Sequence, residues 1–318
     1  MGRRGGAGEV VAVILSVLLV GACSGSGGDT QAPTPGTASN SVPVPQAMSV
    51  QEYSATLAAA VDPLESALEG LAKAKAYKGL ERRVTAVETA AARAVTELSP
   101  ITPPAELAGG HPELLTALQA FSGELGEVSS QVGDRELCTG SAVRSGLGDA
   151  DETSALRDAL ADVSAKLPER LPALTLPSAG QKGDSRPSNG KLLRAGKLDG
   201  RSNFTIDNGG TNDAVVSLSK GKRKPAVSVY VRKDKKYTVE GVPDGSYTVF
   251  FTGGADWDGT ARAFGRNCAF QRFDPTLKFH TTQTATGVFW TDRTITLHPV
   301  VGGTASTTDV DPDAFPDS

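Results

Sequence analysis

The chain has 318 residues, of which 39% are apolar and 21% charged, with a formal net charge of −4. That length accommodates one or two folded domains, and a mildly acidic balance excludes general electrostatic binding to nucleic acid. Three cysteines and three histidines without a CxxC pair fit no zinc spacing, and no cofactor is implied.

Positions 10–23 read VVAVILSVLLVGAC, with Arg3 and Arg4 before them. An apolar run of this length is too short for a membrane-spanning helix, which needs about 20 residues. It has the length of a secretory h-region behind a basic n-region. Val20-Gly21-Ala22-Cys23 resembles the lipobox of bacterial lipoproteins, in which an apolar residue and two small residues precede Cys. The small residues let a peptidase approach the backbone. The resemblance implies a signal peptide over 1–22 and acylation of Cys23 by diacylglycerol with fatty chains such as palmitate. The chain would then be lipid-anchored on the extracytoplasmic face of the cell membrane, through two or more chains. Arg3-Arg4 lacks the polar-Phe-Leu continuation of a twin-arginine signal. Without Arg3, Arg4 and Glu9, 30 basic residues stand against 35 acidic ones, a balance of −5.

Residues 23–47 carry almost no large apolar side chains, so they cannot bury enough surface to fold. They form a flexible tether with a mean reach on the order of 25–30 Å. From Ser49 the period becomes helical, and Ser49-x-x-Glu52 has the form of a capping box. Leu57, Val61, Leu64, Leu68 and Leu71 lie on one helix face. Pro63 predicts a kink or restart within it. A second stripe runs from Leu80 to Leu98. A third, from near Pro112, carries Leu114, Leu118, Phe121, Leu125, Val128 and Val132. A Gly-containing segment follows from Cys138 to Asp149, and a fourth helix carries Leu156, Leu160, Val163 and Leu167. Four such helices with short connections over 48–168 predict an antiparallel helical bundle. Its stripes are the bundle's own core, with no inward Glu or His for a metal or haem site.

Residues 169–197 contain Pro172, Pro177 and Pro187 among Gly and Ser and read as an interdomain linker. Beyond it the period drops to two. Eight of the ten Phe and both Trp fall between 204 and 290. Strand-like runs cover 215–218, 227–231, 237–239, 247–251, 284–290 and 294–297. Turn residues at Asn208-Gly209-Gly210 and Pro243-Asp244-Gly245 separate them. An all-β sandwich over 198–303 is the expectation, so the fold class is α+β in two domains, closed by an acidic tail over 304–318.

Val239-Glu-Gly-Val-Pro-Asp-Gly-Ser-Tyr247-Thr-Val249 resembles the Gly-apolar-Pro-x-Gly-x-Tyr-x-Val hairpin of transthyretin-like and carboxypeptidase-regulatory-like domains. The resemblance implies an inward Tyr247 and carries no catalytic residue. A wider pattern runs from Asn208 and Asp213 through Tyr230, Arg232, Asp256-Trp-Asp258 and Arg266-Asn267 to Ile295 and Gly303. It resembles a domain that recurs in bacterial exported proteins, which implies a fold and no activity. The whole chain is similar to actinobacterial-type lipoproteins.

The candidate sites are few. With Cys23 assigned to lipid, Cys138 and Cys268 allow one intramolecular disulfide, which would staple the two domains; the alternative is two buried thiols. Ser217-x-x-Lys220 matches SxxK in letters, but it falls in a strand and no KTG follows. His111, His280 and His298 have no nucleophile beside them in sequence. Asp256 and Asp258, and Asp309, Asp311 and Asp313, are weak metal candidates without the remaining ligands of a calcium loop. Lys220, Lys222, Arg223 and Lys224 precede one strand, and Arg232, Lys233, Lys235 and Lys236 follow it. That strand is about 20 Å long, so the groups sit at its opposite ends.

These residues predict a non-enzymatic lipoprotein of the cell envelope, binding or accessory, held to membrane lipid by acylated Cys23. Envelope proteins or wall polymers are its expected partners, without nucleic acid. The alternatives are a surface ligand or ion carrier, and a hydrolase whose residues converge only in space.

Overall fold

The structure is a computed structural model that describes residues 47–168, 174–178, 186–221, 224–298 and 306–316. The expected signal peptide, Cys23 with the residues that resemble a lipobox, most of the expected tether, and Lys222 and Arg223 lie outside the described residues. Among the described residues are five α-helices followed by twelve strands, mostly antiparallel, so the chain is mixed α+β. None of these helices is long and apolar enough to cross a membrane.

Helix α1 (Val50–Ala72) starts at the expected capping box: the Ser49 hydroxyl accepts from Glu52 N–H, and the Glu52 carboxylate accepts from Ser49 N–H at 2.9 Å. It runs through Pro63 without restarting. Pro63 removes one backbone bond, while Tyr53, Leu57, Val61, Leu64, Leu68 and Leu71 bury one face on both sides of it. Helices α2 (Leu80–Leu98), α3 (Gly110–Gly133) and α5 (Asp151–Ser164) follow their stripes. α2 packs between α1 and α3, and α5 lies on α3 around one apolar core. A fifth helix, α4 (Gly140–Asp149), occupies the segment that reads as Gly-containing connection. Its Thr139 cap and the buried pair Val143 and Leu147 outweigh the three glycines that lower its propensity.

The strands form one large sheet and two small ones. The large sheet has the order β1 (Leu192–Ala195), β4 (Val227–Val231), β3 (Asp213–Ser219), β6 (Gly245–Asp258), β7 (Ala263–Phe273), β12 (Thr307–Asp309), with β8 (Leu277–Phe279) also on β6. A three-stranded sheet pairs β2 (Ser202–Asn208) antiparallel with β5 (Lys235–Val242) and parallel with β11 (Arg293–Thr296). The two sheets share a core. Phe204 and Ile206 of β2 meet Val216 and Leu218 of β3, Val229 of β4 and Val249 of β6. Every residue of β3 and β4 is buried, because the opposite face is covered as well. There Val215 and Tyr230 meet Trp257 and Phe264. A bulge between Gly253 and Ala255 bends β6, and the rings of Trp257 and Phe264 pack edge-on and tilted against Tyr230. Asp213 closes this core. Its carboxylate accepts from Arg186 at 2.6 and 2.7 Å, from Tyr230 Oη at 2.6 Å and from Lys233 N–H at 2.8 Å.

Four sequence expectations are corrected. The turn at Pro243-Asp244-Gly245 does not close a hairpin, since β5 pairs with β2 and β6 pairs with β3, β7 and β8. It carries the chain from the small sheet to the large one, and Tyr247 is buried with its hydroxyl on Pro243 O at 3.0 Å. The run at 284–290 is not one strand but a ribbon of β9 (Thr281–Thr284) and β10 (Gly287–Trp290). The linker range contributes β1, and Leu174 and Leu176 pack against the helices. The acidic tail contributes β12, and Phe315 packs edge-on against Phe250 and Phe270. One aromatic ring suffices to seat a segment that lacks periodicity.

Candidate binding cleft

The helical and strand regions meet at Arg135–Cys138. This segment leaves α3 through Arg135, whose φ of 61° turns the chain, and runs beside β7. Cys138 N–H donates to Gly265 O at 2.8 Å, Asn267 N–H to Glu136 O at 3.2 Å, and Cys268 N–H to Arg135 O at 3.1 Å. A Cys138–Cys268 disulfide joins the two, with Sγ–Sγ 2.11 Å and both residues buried. The same edge of β7 carries β12 farther along, so its backbone groups are paired rather than exposed.

The next residue, Thr139, caps α4, accepting from Ala142 N–H at 3.2 Å. Gly140 N–H donates to Lys75 O at 2.9 Å, and a Cβ at Gly140 would lie 2.3 Å from Ala74 O. Only glycine permits that approach. Arg144, one turn later, donates to the carbonyls of Leu71, Ala72 and Ala74 at 3.1–3.4 Å, which satisfies the C-terminus of α1. These contacts hold α4 across from the bent end of the β6–β7 hairpin.

Between them lies a cleft of about 520 Å³. Thr139, Ser141, Ser145 and Asp149 line one wall, and Asp256, Trp257, Asp258 and Arg266 the other. Ser141 Oγ donates to Asp258 Oδ2 at 2.5 Å and lies 2.9 Å from Thr139 Oγ1. Asp258 Oδ1 accepts from the N–H groups of Thr260 and Ala261 at 2.8 and 2.9 Å. Burial opposes ionisation of Asp258, but the Ser141 hydroxyl and these two amides outweigh it, with help from Arg144. Its carboxyl is therefore held below the usual range. Asp256, with φ 53°, pairs with Arg266 at 2.7 Å. Asp256 and Asp258 thus share the cleft, but their oxygens are already engaged by an arginine, a hydroxyl and backbone amides. Among the described residues no three His, Cys, Asp or Glu side chains are grouped to hold a metal ion.

The histidines lie elsewhere. His111 is buried, with Nδ1 2.9 Å from Tyr53 Oη, and burial lowers its pKa. His280 is exposed, and its carbonyl accepts from Thr291. His298 sits against Gly209. Ser217 lies inside β3, its Oγ 2.7 Å from Ser228 Oγ, while Lys220 reaches Asp244 O and the face of Tyr247. Asp309 accepts from Gln271, and Asp311 accepts from Asp313 N–H. Of the second basic group, Arg232 holds the carbonyls of Pro187 and Arg186, and Lys236 pairs with Asp207 at 2.8 Å.

Chemically the cleft offers hydroxyls, carboxylates, one guanidinium and one indole. The contact between Ser141 and Asp258 points the serine proton at the carboxylate. Sequence reasoning found Asp256 and Asp258 but missed Thr139, Ser141, Ser145 and Arg266. The one local signal was Thr139 at a helix-cap position. No family model matches the chain, and no curated protein or solved structure matches it.

Proposed function

We propose that this protein is a lipid-anchored, extracytoplasmic lipoprotein with a non-enzymatic binding role in the cell envelope, and that the cleft between α4 and the β6–β7 hairpin receives its partner. In this reading the helices act as an antiparallel bundle and the two larger sheets as a sandwich. The observation that carries the reading is the cleft itself: a polar hollow of about 520 Å³ beside a disulfide, with hydroxyls and carboxylates oriented by their own hydrogen bonds. A disulfide supports an oxidising compartment, and the lipobox ending at Cys23 supports the anchor. The hydroxyls of Thr139, Ser141 and Ser145 beside these carboxylates suit a hydroxyl-rich partner, such as a wall glycan or a hydroxyl-bearing segment of an envelope protein.

The test is cross-linking of the native protein in its own membranes, capture, and mass spectrometry of what is captured. Gly146→Trp supplies the control, because Gly146 lines the cleft and a Cβ there meets nothing within 4 Å, so a large side chain can be added on that side. A partner captured by the native chain and lost with Gly146→Trp supports the reading. Equal capture by both places binding elsewhere, and no capture above background contradicts a binding role.

A further inference from the structure

Among the described residues, the exposed large apolar side chains are Val288, Phe289 and Trp290, at 36%, 60% and 46% exposure. They are consecutive and all lie on β10. Side chains alternate along a strand, so Phe289 stands on one face of the β9–β10 ribbon, and Val288 and Trp290 on the other. Their cross-strand partners are Thr282, Gln283 and Thr281. Both faces of the ribbon are therefore uncovered. The eleven residues from Thr281 to Thr291 include no charged side chain, in a chain where 21% are charged.

We propose that this ribbon seats in the headgroup layer of a phospholipid membrane, as a second, non-covalent attachment beside the acylated Cys23. The proposal rests on the lipoprotein reading, in which acylated Cys23 brings the chain to a membrane surface. A protein groove would cover one face of a ribbon, whereas immersion in a fluid layer covers both. Trp and Phe favour that layer because their rings are apolar while the indole N–H stays hydrated. Among the described residues no strand pairs with the outward edges of β9 and β10, so their backbone groups need water, and the ribbon stops at interfacial depth rather than entering hydrocarbon. Its base is fixed to the body. Asp244 accepts from Thr281 N–H and Oγ1 at 2.8 and 2.9 Å, and Thr291 N–H donates to His280 O at 3.1 Å.

The chain has two tryptophans, and Trp257 is buried against Tyr230 and Phe264, so emission changes at a lipid surface report Trp290. Protein purified from its membranes is reconstituted in phosphatidylethanolamine–phosphatidylglycerol vesicles, with and without bromine on the upper acyl carbons. Quenching by brominated lipid is expected, together with its loss in Trp290→Ser. In a second variant, Phe289→Ser, apolar area lost from the interface lowers the quenched fraction's partition about tenfold. Unquenched emission from anchored protein overturns the proposal, as does equal quenching in Trp290→Ser. A blue shift that follows protein concentration without lipid assigns the ribbon to a second copy and also overturns it. Acylation is read separately, from the mass of the N-terminal peptide. Unacylated protein whose Trp290 is still quenched by added vesicles sinks the anchor and keeps the ribbon.

Discussion

Replacing both Cys138 and Cys268 by Ala removes the covalent link between the end of α3 and β7. The bridge spans a sequence separation of 130 residues. Loop-closure entropy for such a span amounts to about 5 kcal/mol in the unfolded chain, and residual structure there reduces the measured effect to about 3–5 kcal/mol. Domains commonly hold about 5–15 kcal/mol in total, so this is a large share. With a urea slope near about 3 kcal/mol/M, the unfolding midpoint should fall by about 1–2 M. Native protein refolded with reductant keeps its two sulfur atoms. The difference between it and the double variant therefore separates lost packing from lost loop constraint. Circular dichroism at 222 nm follows the helices, and Trp257 fluorescence follows the sheet. Native protein whose midpoint is the same with and without reductant would refute the loop argument. A fall confined to the alanine variant would assign the effect to packing alone.

Other outcomes follow from the same contacts. Asp213 is held at a pKa of about 2: burial opposes its ionisation, and the bonds from Arg186, Tyr230 and the Lys233 amide outweigh that. Against an unfolded value of 3.8, its contribution of about 2 kcal/mol is present above about pH 4 and lost as pH falls through 2. Asp213→Asn should remove that part of the acid sensitivity, checked by urea midpoints at pH 5 and pH 2.5. Gly140→Ala forces a methyl onto Ala74 O and should destabilise by about 1–3 kcal/mol, with exchange protection lost first in α4. Phe315→Ala removes the ring from Phe250 and Phe270 and should cost about 1–2 kcal/mol. Limited proteolysis should then cut the C-terminal segment while the rest of the chain stays intact.

The helices were largely legible because Leu57, Val61, Leu64, Leu68 and Leu71, and the matching stripes after them, bury long continuous faces. α4 was not, because only Val143 and Leu147 repeat across its ten residues. Period-two runs located β3, β4 and β6 of the large sheet and β5 and β11 of the small one, but missed β1, β2, β7, β8 and β12 and said nothing of pairing. Val239–Val249 reads as a local hairpin, yet its two strands satisfy their backbone bonds in different sheets, which is decided by residues far along the chain. The ribbon at 281–290 was hidden because Ala285 and Thr286 form its turn, without Pro or Gly between them. Half of the cleft was legible. Asp256 and Asp258 show as carboxylates in a short span, whereas Ser141 reaches Asp258 across 117 residues, and that pairing exists only once Cys138 lies beside Gly265.

The most direct test is peptide mass mapping of the membrane fraction under non-reducing conditions. An N-terminal peptide that begins at Cys23 and carries acyl chains is the expected result, together with the Cys138 and Cys268 peptides recovered as one linked species. A peptide that still contains residues 1–22, with both downstream cysteines recovered as free thiols, would contradict the account.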